Sequence, residues 1–121
     1  MKKYIFLLTL MFGVALQAQQ AAKSFNAEKY AKNLTEKILA VVDMQNEEQQ
    51  ALVERVTFSY AKSIEKHILL YEQQGRTEGK SLEEIIEMVK NDAKSATKFE
   101  RQLGEILGAG ALEKLKKNKV L

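Results

Sequence analysis

The stretch Asn46–Gly75, NEEQQALVERVTFSYAKSIEKHILLYEQQG, decides the fold because it has the periodicity of one long amphipathic helix. Asn46 and Gln49 have the spacing of a capping box, in which the Asn46 side chain accepts from a free amide while Gln49 reaches back to Asn46. The sequence predicts a helix over 46–74, roughly 43 Å long at 1.5 Å per residue. Its apolar stripe recurs at three- and four-residue steps, at Val53, Val56, Tyr60, Ile64, Ile68 and Tyr71.

The segment before this stretch predicts a shorter helix, at about 26–43. Asn26 is suited to cap its start, and Glu28 follows in the first turn, where an acid interacts well with the helix dipole. The side chains predicted to face the core recur at helical spacing, at Tyr30, Leu34, Ile38 and Val41.

A polar turn with Gly75 and Gly79 separates the long helix from a second capping box, formed by Ser81 and Glu84. The sequence then predicts one helix over 81–107 and a short helix over 110–118, with glycines between them. Alternating steps of three and four in the 81–107 stripe are typical of coiled-coil packing against a partner helix. That stripe consists of Leu82, Ile85, Val89, Ala93, Ala96, Phe99, Leu103 and Ile106.

These elements predict an all-α fold. We expect a bent helical hairpin of two long helices, with shorter helices at its N- and C-terminal ends, or a small bundle of the same elements. The sequence contains no alternating apolar pattern of the kind that marks strands.

The first residues have the pattern of a secretory signal peptide. Lys2 and Lys3 precede an apolar run over 4–16 that is short for a membrane span, and Ala18 is a small residue suited to cleavage. We therefore expect a signal peptide at 1–18 and a single helical domain at 19–121, located in the periplasm or secreted. The alternative is an uncleaved amphipathic anchor.

Composition limits the function of such an exported chain. It contains no Cys, which excludes disulfides and thiolate metal sites. The 19 basic residues include Lys2 and Lys3, so the mature chain keeps 17 against 16 acidic residues and a net charge of +1. A balance so close to neutral gives no support for nucleic-acid binding.

Catalytic and cofactor sites are not expected. His67 is the only histidine, and its position at the edge of the apolar stripe predicts a partly buried structural side chain. Acid pairs at Glu47–Glu48 and Glu83–Glu84 fall in first helical turns, where they stabilise helix starts. The glycines near 108 follow no strand and lack a phosphate-loop lysine. The sequence predicts no enzyme, no metal and no cofactor.

The long helix carries a second stripe almost opposite its core face. At 100° per residue the five side chains of this stripe point in similar directions, and we expect no acid on this face from Ala51 to Gln73. Such a face suits an acidic, partly unfolded or amphipathic partner. The alternatives are a solvated face with isolated apolar residues and a dimer contact. The stripe consists of Arg55, Phe58, Lys62, Lys66 and Leu69.

The chain resembles the Spy/CpxP-like periplasmic proteins, known by a repeated Leu-Thr-x-x-Gln motif. Asn46 and Gln49 occupy the positions of the motif's threonine and glutamine, and Gln45 stands where the leucine would be. A second copy would fall at 107–111, where only Leu107 matches. By pattern the resemblance covers most of 30–118. It implies a cradle-shaped helical dimer that holds unfolded clients without ATP, or that senses envelope stress through a partner.

We therefore expect an exported, non-catalytic interaction protein, chaperone-like, that binds unfolded or envelope protein clients and forms a homodimer. The alternative is a structural or regulatory module that binds one specific envelope partner. A helix bound to a membrane surface has less support, since it rests only on Lys114, Lys116, Lys117 and Lys119.

Overall fold

The computed structural model describes residues 24–92 and 94–121. This part of the chain forms five helices and no strand, which confirms the all-α class. The predicted signal peptide, with its cleavage point, lies outside the described residues. None of the described helices is both long and apolar enough to cross a membrane. The helices are α1 (Ala27–Val41), α2 (Glu47–Gln73), α3 (Leu82–Asp92), α4 (Ser95–Leu107) and α5 (Ala109–Lys117).

Helix α2 is the central element, and α1, α3 and α4 all pack against it. Its predicted core stripe is confirmed: Val53, Ile64 and Ile68 are fully buried, and Val56 is half-buried. Full burial of one such side chain contributes about 1.5–3 kcal/mol, so this stripe is the main support of the fold. The other helices complete the same hydrophobic cluster with Leu34, Ile38, Ile85, Val89, Phe99, Leu103 and Leu115.

The predicted caps form, with one difference. Side-chain oxygens of Asn26, Asn46 and Ser81 accept from the backbone N–H groups of Lys29, Gln49 and Glu84 respectively. The Gln49 side chain, however, accepts at 2.8 Å from the N–H of Gln45, one residue earlier than predicted. Its Nε2 also donates to the carbonyl oxygen of Ile106 at 3.1 Å. Gln49 therefore joins the start of α2 to the end of α4. This long-range hydrogen bond to Ile106 accounts for the side chain bonding to Gln45 instead of Asn46.

The prediction of one helix over 81–107 is wrong, because α3 ends at Asp92 and α4 begins at Ser95. The junction is rich in side chains that favour hydrogen bonds outside a helix ladder. Asp92 pairs with Arg76 Nη2 at 2.8 Å, and Ser95 Oγ lies 2.6 Å from Ser63 Oγ on α2. The predicted hairpin of two long helices is therefore not confirmed. In the described residues α2 alone is long. The shorter helices α3 and α4 pack against it where the prediction placed the second long helix.

Three glycines in the connections have positive φ, namely Gly75, Gly79 and Gly108, and two of them shape the ends of helices. Gly75 (φ 72°) follows α2, where the N–H groups of Gly75 and Arg76 bond to the carbonyls of Glu72 and Tyr71, a Schellman arrangement. Gly108 (φ 95°, ψ 160°) turns the chain from α4 into α5.

Helix α5 ends with the same arrangement around Lys119, whose φ is 57°. The Val120 N–H bonds to the Leu115 carbonyl oxygen at 2.9 Å, and Val120 and Leu121 pack against the core. The segment after Gly108 therefore folds back onto the other helices.

Candidate interaction surface

The five predicted residues of the second stripe all lie on the exposed side of α2. Phe58 and Leu69 are each 40% exposed, although both are large and apolar. The cations of the set, Arg55, Lys62 and Lys66, are exposed as well. We call these five residues the basic-apolar stripe. The structure thus brings them together on one face, while Ile64 and Ile68 face the core.

One ion pair partly neutralises this stripe. Lys62 Nζ lies 3.6 Å from Glu65 Oε1 and 5.6 Å from the centroid of the Phe58 ring. The prediction that the face carries no acid is therefore wrong at its edge, since Glu65 lies one helical turn from Lys62. An exposed pair at this spacing is worth a few tenths of a kcal/mol, so it leaves Lys62 available to a competing carboxylate. Three cations against one acid still give the stripe a positive field.

Two further apolar residues extend this face, and the sequence analysis missed them. Leu52 is 45% exposed and Leu70 is 40% exposed. The signal was present, because at 100° per residue both lie about 60° from the direction of Arg55. Together with Phe58 and Leu69, they are all the large hydrophobic side chains that are exposed in the described part of the chain. Concentration of such residues on a single helix marks a contact surface more strongly than scattered ones would.

A groove of about 460 Å³ separates α1 from α2 beside this stripe. Its lining includes two small side chains of α1, Ala31 and Thr35, and two larger ones, Leu39 and Phe58. Thr35 Oγ1 donates to the Ala31 carbonyl oxygen at 2.8 Å, so the hydroxyl group is already satisfied. We call this hollow the α1–α2 groove. Its remaining lining is polar and charged: Lys32, Glu36, Gln50 and Glu54.

A second cleft, between α1 and α3, has a different character. It consists of two adjoining hollows of about 380 and 490 Å³ that share Tyr30, Glu87 and Lys90 in their lining. Tyr60 lines the first hollow and stacks on Phe99 with ring centroids 4.3 Å apart. Burial raises the pKa of the Tyr60 phenol well above its usual value, with smaller contributions from nearby Tyr30, Glu100 and Glu87. The charges of this cleft are mixed, and they do not select one kind of partner.

His67 lies at the edge of the buried stripe of α2, where the sequence predicts it. It is half-buried, and its Nδ1 lies 2.7 Å from the Ser63 carbonyl oxygen in the preceding turn of α2. Among the described residues, no group of three or more His, Cys, Asp or Glu side chains is placed to hold a metal ion. The described surface thus offers exposed apolar area, cations, the α1–α2 groove and the cleft between α1 and α3.

Comparison with known proteins adds no relative to this picture. A scan against protein-family models, a search of curated proteins and a search of solved structures each found no match. The similarity to Spy/CpxP-like proteins stays a prediction from the sequence, and the function has to be inferred from the surface itself.

Proposed function

We propose that this protein is an exported, non-catalytic helical interaction protein that holds partly unfolded or envelope protein clients without ATP, as proteins of the Spy/CpxP type do. The observation that carries the proposal is the exposed side of α2, where Phe58 and Leu69 lie among Arg55, Lys62 and Lys66. Long basic side chains attract and orient an acidic client, and the apolar residues add contact that depends little on direction. Such a surface tolerates clients of varied sequence.

Burial on the opposite side of α2 fixes the backbone that carries the stripe. On the other side of α2, Val53, Ile64 and Ile68 are fully buried, and α1, α3 and α4 hold them in place. The backbone under the stripe therefore needs no ordering when a client binds, which lowers the entropic cost of association.

Localisation is part of the proposal. The pattern of Lys2 and Lys3, the apolar run over 4–16 and Ala18 supports export followed by cleavage near Ala18. N-terminal sequencing of the protein recovered from the cell envelope or the medium would test it. A first residue of Gln19 or a near neighbour supports export, and recovery of the intact chain from the cytoplasm contradicts it.

Self-association is proposed as well, because the resemblance to Spy/CpxP-like proteins implies a homodimer, and we expect its contact to lie outside the basic-apolar stripe, whose cations would repel a second copy of themselves. Multi-angle light scattering on the purified chain 19–121 would test it. A mass of two chains supports a homodimer, and a mass of one chain across the micromolar range contradicts it.

An aggregation assay tests the main function. Purified chain 19–121 is added without nucleotide to a client that aggregates on dilution from denaturant, and light scattering is followed. We expect suppressed scattering at several-fold molar excess, and unchanged scattering would count against the proposal. The double variant Phe58→Ser/Leu69→Ser should lose this activity and keep its helicity by circular dichroism, whereas loss of helicity would place both residues in the core.

A charge-matched pair of variants isolates the contribution of the cations. Lys62→Ser/Lys66→Ser removes two positive charges from the stripe, while Lys29→Ser/Lys98→Ser removes two exposed lysines from α1 and α4. We expect the first pair to weaken suppression of an acidic client and the second to leave it unchanged. Equal loss of suppression in the two double variants would show that net charge, and not the position of the lysines on this surface, determines the activity.

A specific partner is the alternative function, and the fixed spacing of the stripe along one rigid helix favours it. Under this proposal the protein is a structural or regulatory module for one envelope protein. A pull-down from native envelope extract separates the two, because one stoichiometric partner favours the module and many weakly bound proteins favour the chaperone.

A further inference from the structure

The α1–α2 groove and the basic-apolar stripe meet at Phe58, which belongs to both. We propose that together they form a docking site for an acidic amphipathic helix of another protein, whose apolar anchor enters the groove and whose carboxylates meet Lys62 and Lys66. This inference rests on the proposed function and names the kind of segment that the surface prefers.

The groove is suited to an apolar anchor. Small side chains at Ala31 and Thr35 leave space between the two helices, and the internal hydrogen bond of the Thr35 hydroxyl leaves it no need for a polar partner. Leu39 and Phe58 lie beside this space and keep part of their surface exposed to water. An incoming leucine or phenylalanine would remove that surface from water, which is the favourable term in such contacts.

Charge fixes where the partner's acids lie. The groove lining carries two carboxylates, Glu36 and Glu54, against the single cation Lys32, and Gln50 Nε2 donates to Glu54 Oε1 at 3.3 Å. Carboxylates placed over the groove would meet these like charges. Further along α2 they would instead meet Lys62 and Lys66, which fixes the direction of the docked helix from the groove toward Leu69.

The same charges disfavour a second copy of α2 as the occupant. In a symmetric pairing each chain presents the same patch, so the two patches would bring together two sets of Arg55, Lys62 and Lys66. A partner of opposite charge is complementary to this surface, and a basic helix is not.

Spacing along α2 defines the partner's sequence pattern. Counting from Phe58, Lys62 is four residues on, Lys66 eight and Leu69 eleven. A partner helix that runs parallel to α2 has the same rise per residue, so it matches these positions with apolar residues at i and i+11 and acids at i+4 and i+8. At 100° per residue those four positions fall within about 80° of one another, on a single face. The pattern is therefore one that a helix presents and an extended chain does not.

Two synthetic peptides of identical composition test this inference on the chain 19–121. Both have about 20 residues in a helix-forming background. The matched peptide carries Leu at i and i+11 and Glu at i+4 and i+8, and the control peptide carries its Glu residues at i+2 and i+6, on the far side. We expect calorimetry or fluorescence anisotropy to show at least tenfold tighter binding of the matched peptide.

Variants then locate the anchor. Leu39→Ser, and the bulkier Leu39→Gln, should weaken binding of the matched peptide about tenfold, since each removes apolar contact from the groove. Ile86→Ser serves as the matched control, because Ile86 on α3 is half-buried like Leu39 but lies outside both the groove lining and the stripe, and it should leave affinity unchanged. Undiminished binding by both Leu39 variants would overturn the groove as the anchor site.

The outcomes also separate this inference from the proposed function. Equal affinity for the two peptides, with client aggregation still suppressed, overturns helix docking and leaves the general function standing. No binding of either peptide together with no suppression of aggregation removes both. Preference for the matched peptide that is lost in Lys62→Ser/Lys66→Ser supports the docking site.

Discussion

Ile68 and Leu69 are neighbours in the sequence and isomers in chemistry, but the structure gives them opposite environments. Ile68 is fully buried on the core side of α2, while Leu69 is 40% exposed on the basic-apolar stripe. Replacing each by Ala therefore tests, within a single turn of helix, whether the stripe is a surface in solution. The two variants change the same number of carbon atoms.

The expected costs differ because only one site leaves a cavity. Ile68→Ala removes atoms from a closed core, for which about 2–5 kcal/mol of unfolding free energy is lost. Leu69→Ala loses contact only for the covered part of its side chain and leaves no closed cavity. The good helix propensity of Ala offsets some of that loss, so the cost should be about 1 kcal/mol or less. In a domain of this size, 1 kcal/mol corresponds to roughly 4–8 °C in Tm.

Urea unfolding followed by circular dichroism at 222 nm would measure both costs. Equal losses for Ile68→Ala and Leu69→Ala would refute the assignment, because Leu69 would then belong to the core. Each measurement should be repeated at two protein concentrations. A cost of Leu69→Ala that grows with concentration would show that a second chain covers this face, and it would contradict the repulsion expected between two copies of the stripe.

Three other perturbations test the fold around this surface. Gly108→Ala should destabilise the protein by about 1–3 kcal/mol, because only glycine adopts the backbone conformation of residue 108 easily. Gly110→Ala inside α5 should instead stabilise the protein by about 0.5–1 kcal/mol. Thermal melts would compare the two variants, and equal shifts in Tm would show that the turn at Gly108 is unstrained. Tyr60→Phe should reduce the loss of stability at high pH, since a phenol whose pKa is raised on folding stabilises fully below about pH 10 and less as the pH rises further. Urea titrations at pH 8 and pH 11 would compare the two proteins, and identical pH dependence would contradict a buried phenol. Gln49→Ala should cost about 1–2 kcal/mol through loss of its bonds to Gln45 and Ile106, and an unchanged urea midpoint would show that this link is absent in solution.

Local signals predicted most of the helices. Capping residues such as Asn46 and Ser81 act within one turn, so sequence spacing alone identifies them. The core stripe of α2 was equally accessible, because burial of Val53, Ile64 and Ile68 follows directly from helical periodicity. The five residues of the basic-apolar stripe were found by the same geometry on the opposite side.

Long-range contacts explain what the sequence did not predict. Continuous periodicity across 81–107 indicated one helix, and the break before Ser95 depends on partners at Arg76 and Ser63, distant in the chain. The α1–α2 groove was missed for a related reason. Ala31 and Thr35 look like ordinary helix positions, and the space they leave exists only where Phe58 of another helix passes beside them.

The exposed apolar residues on α2 are informative because the fold does not require apolar side chains at these positions. Helices α1, α3 and α4 already cover the core side of α2. Polar side chains in place of Leu52, Phe58, Leu69 and Leu70 would preserve the helix and leave the core intact. Exposed apolar area of this kind gives the isolated chain little stability and adds a risk of aggregation. Cations between these residues reduce that risk by keeping like surfaces apart, and they attract acidic segments at the same time. A surface that repels its own copy and attracts an oppositely charged helix is consistent with a protein whose function is contact with other chains.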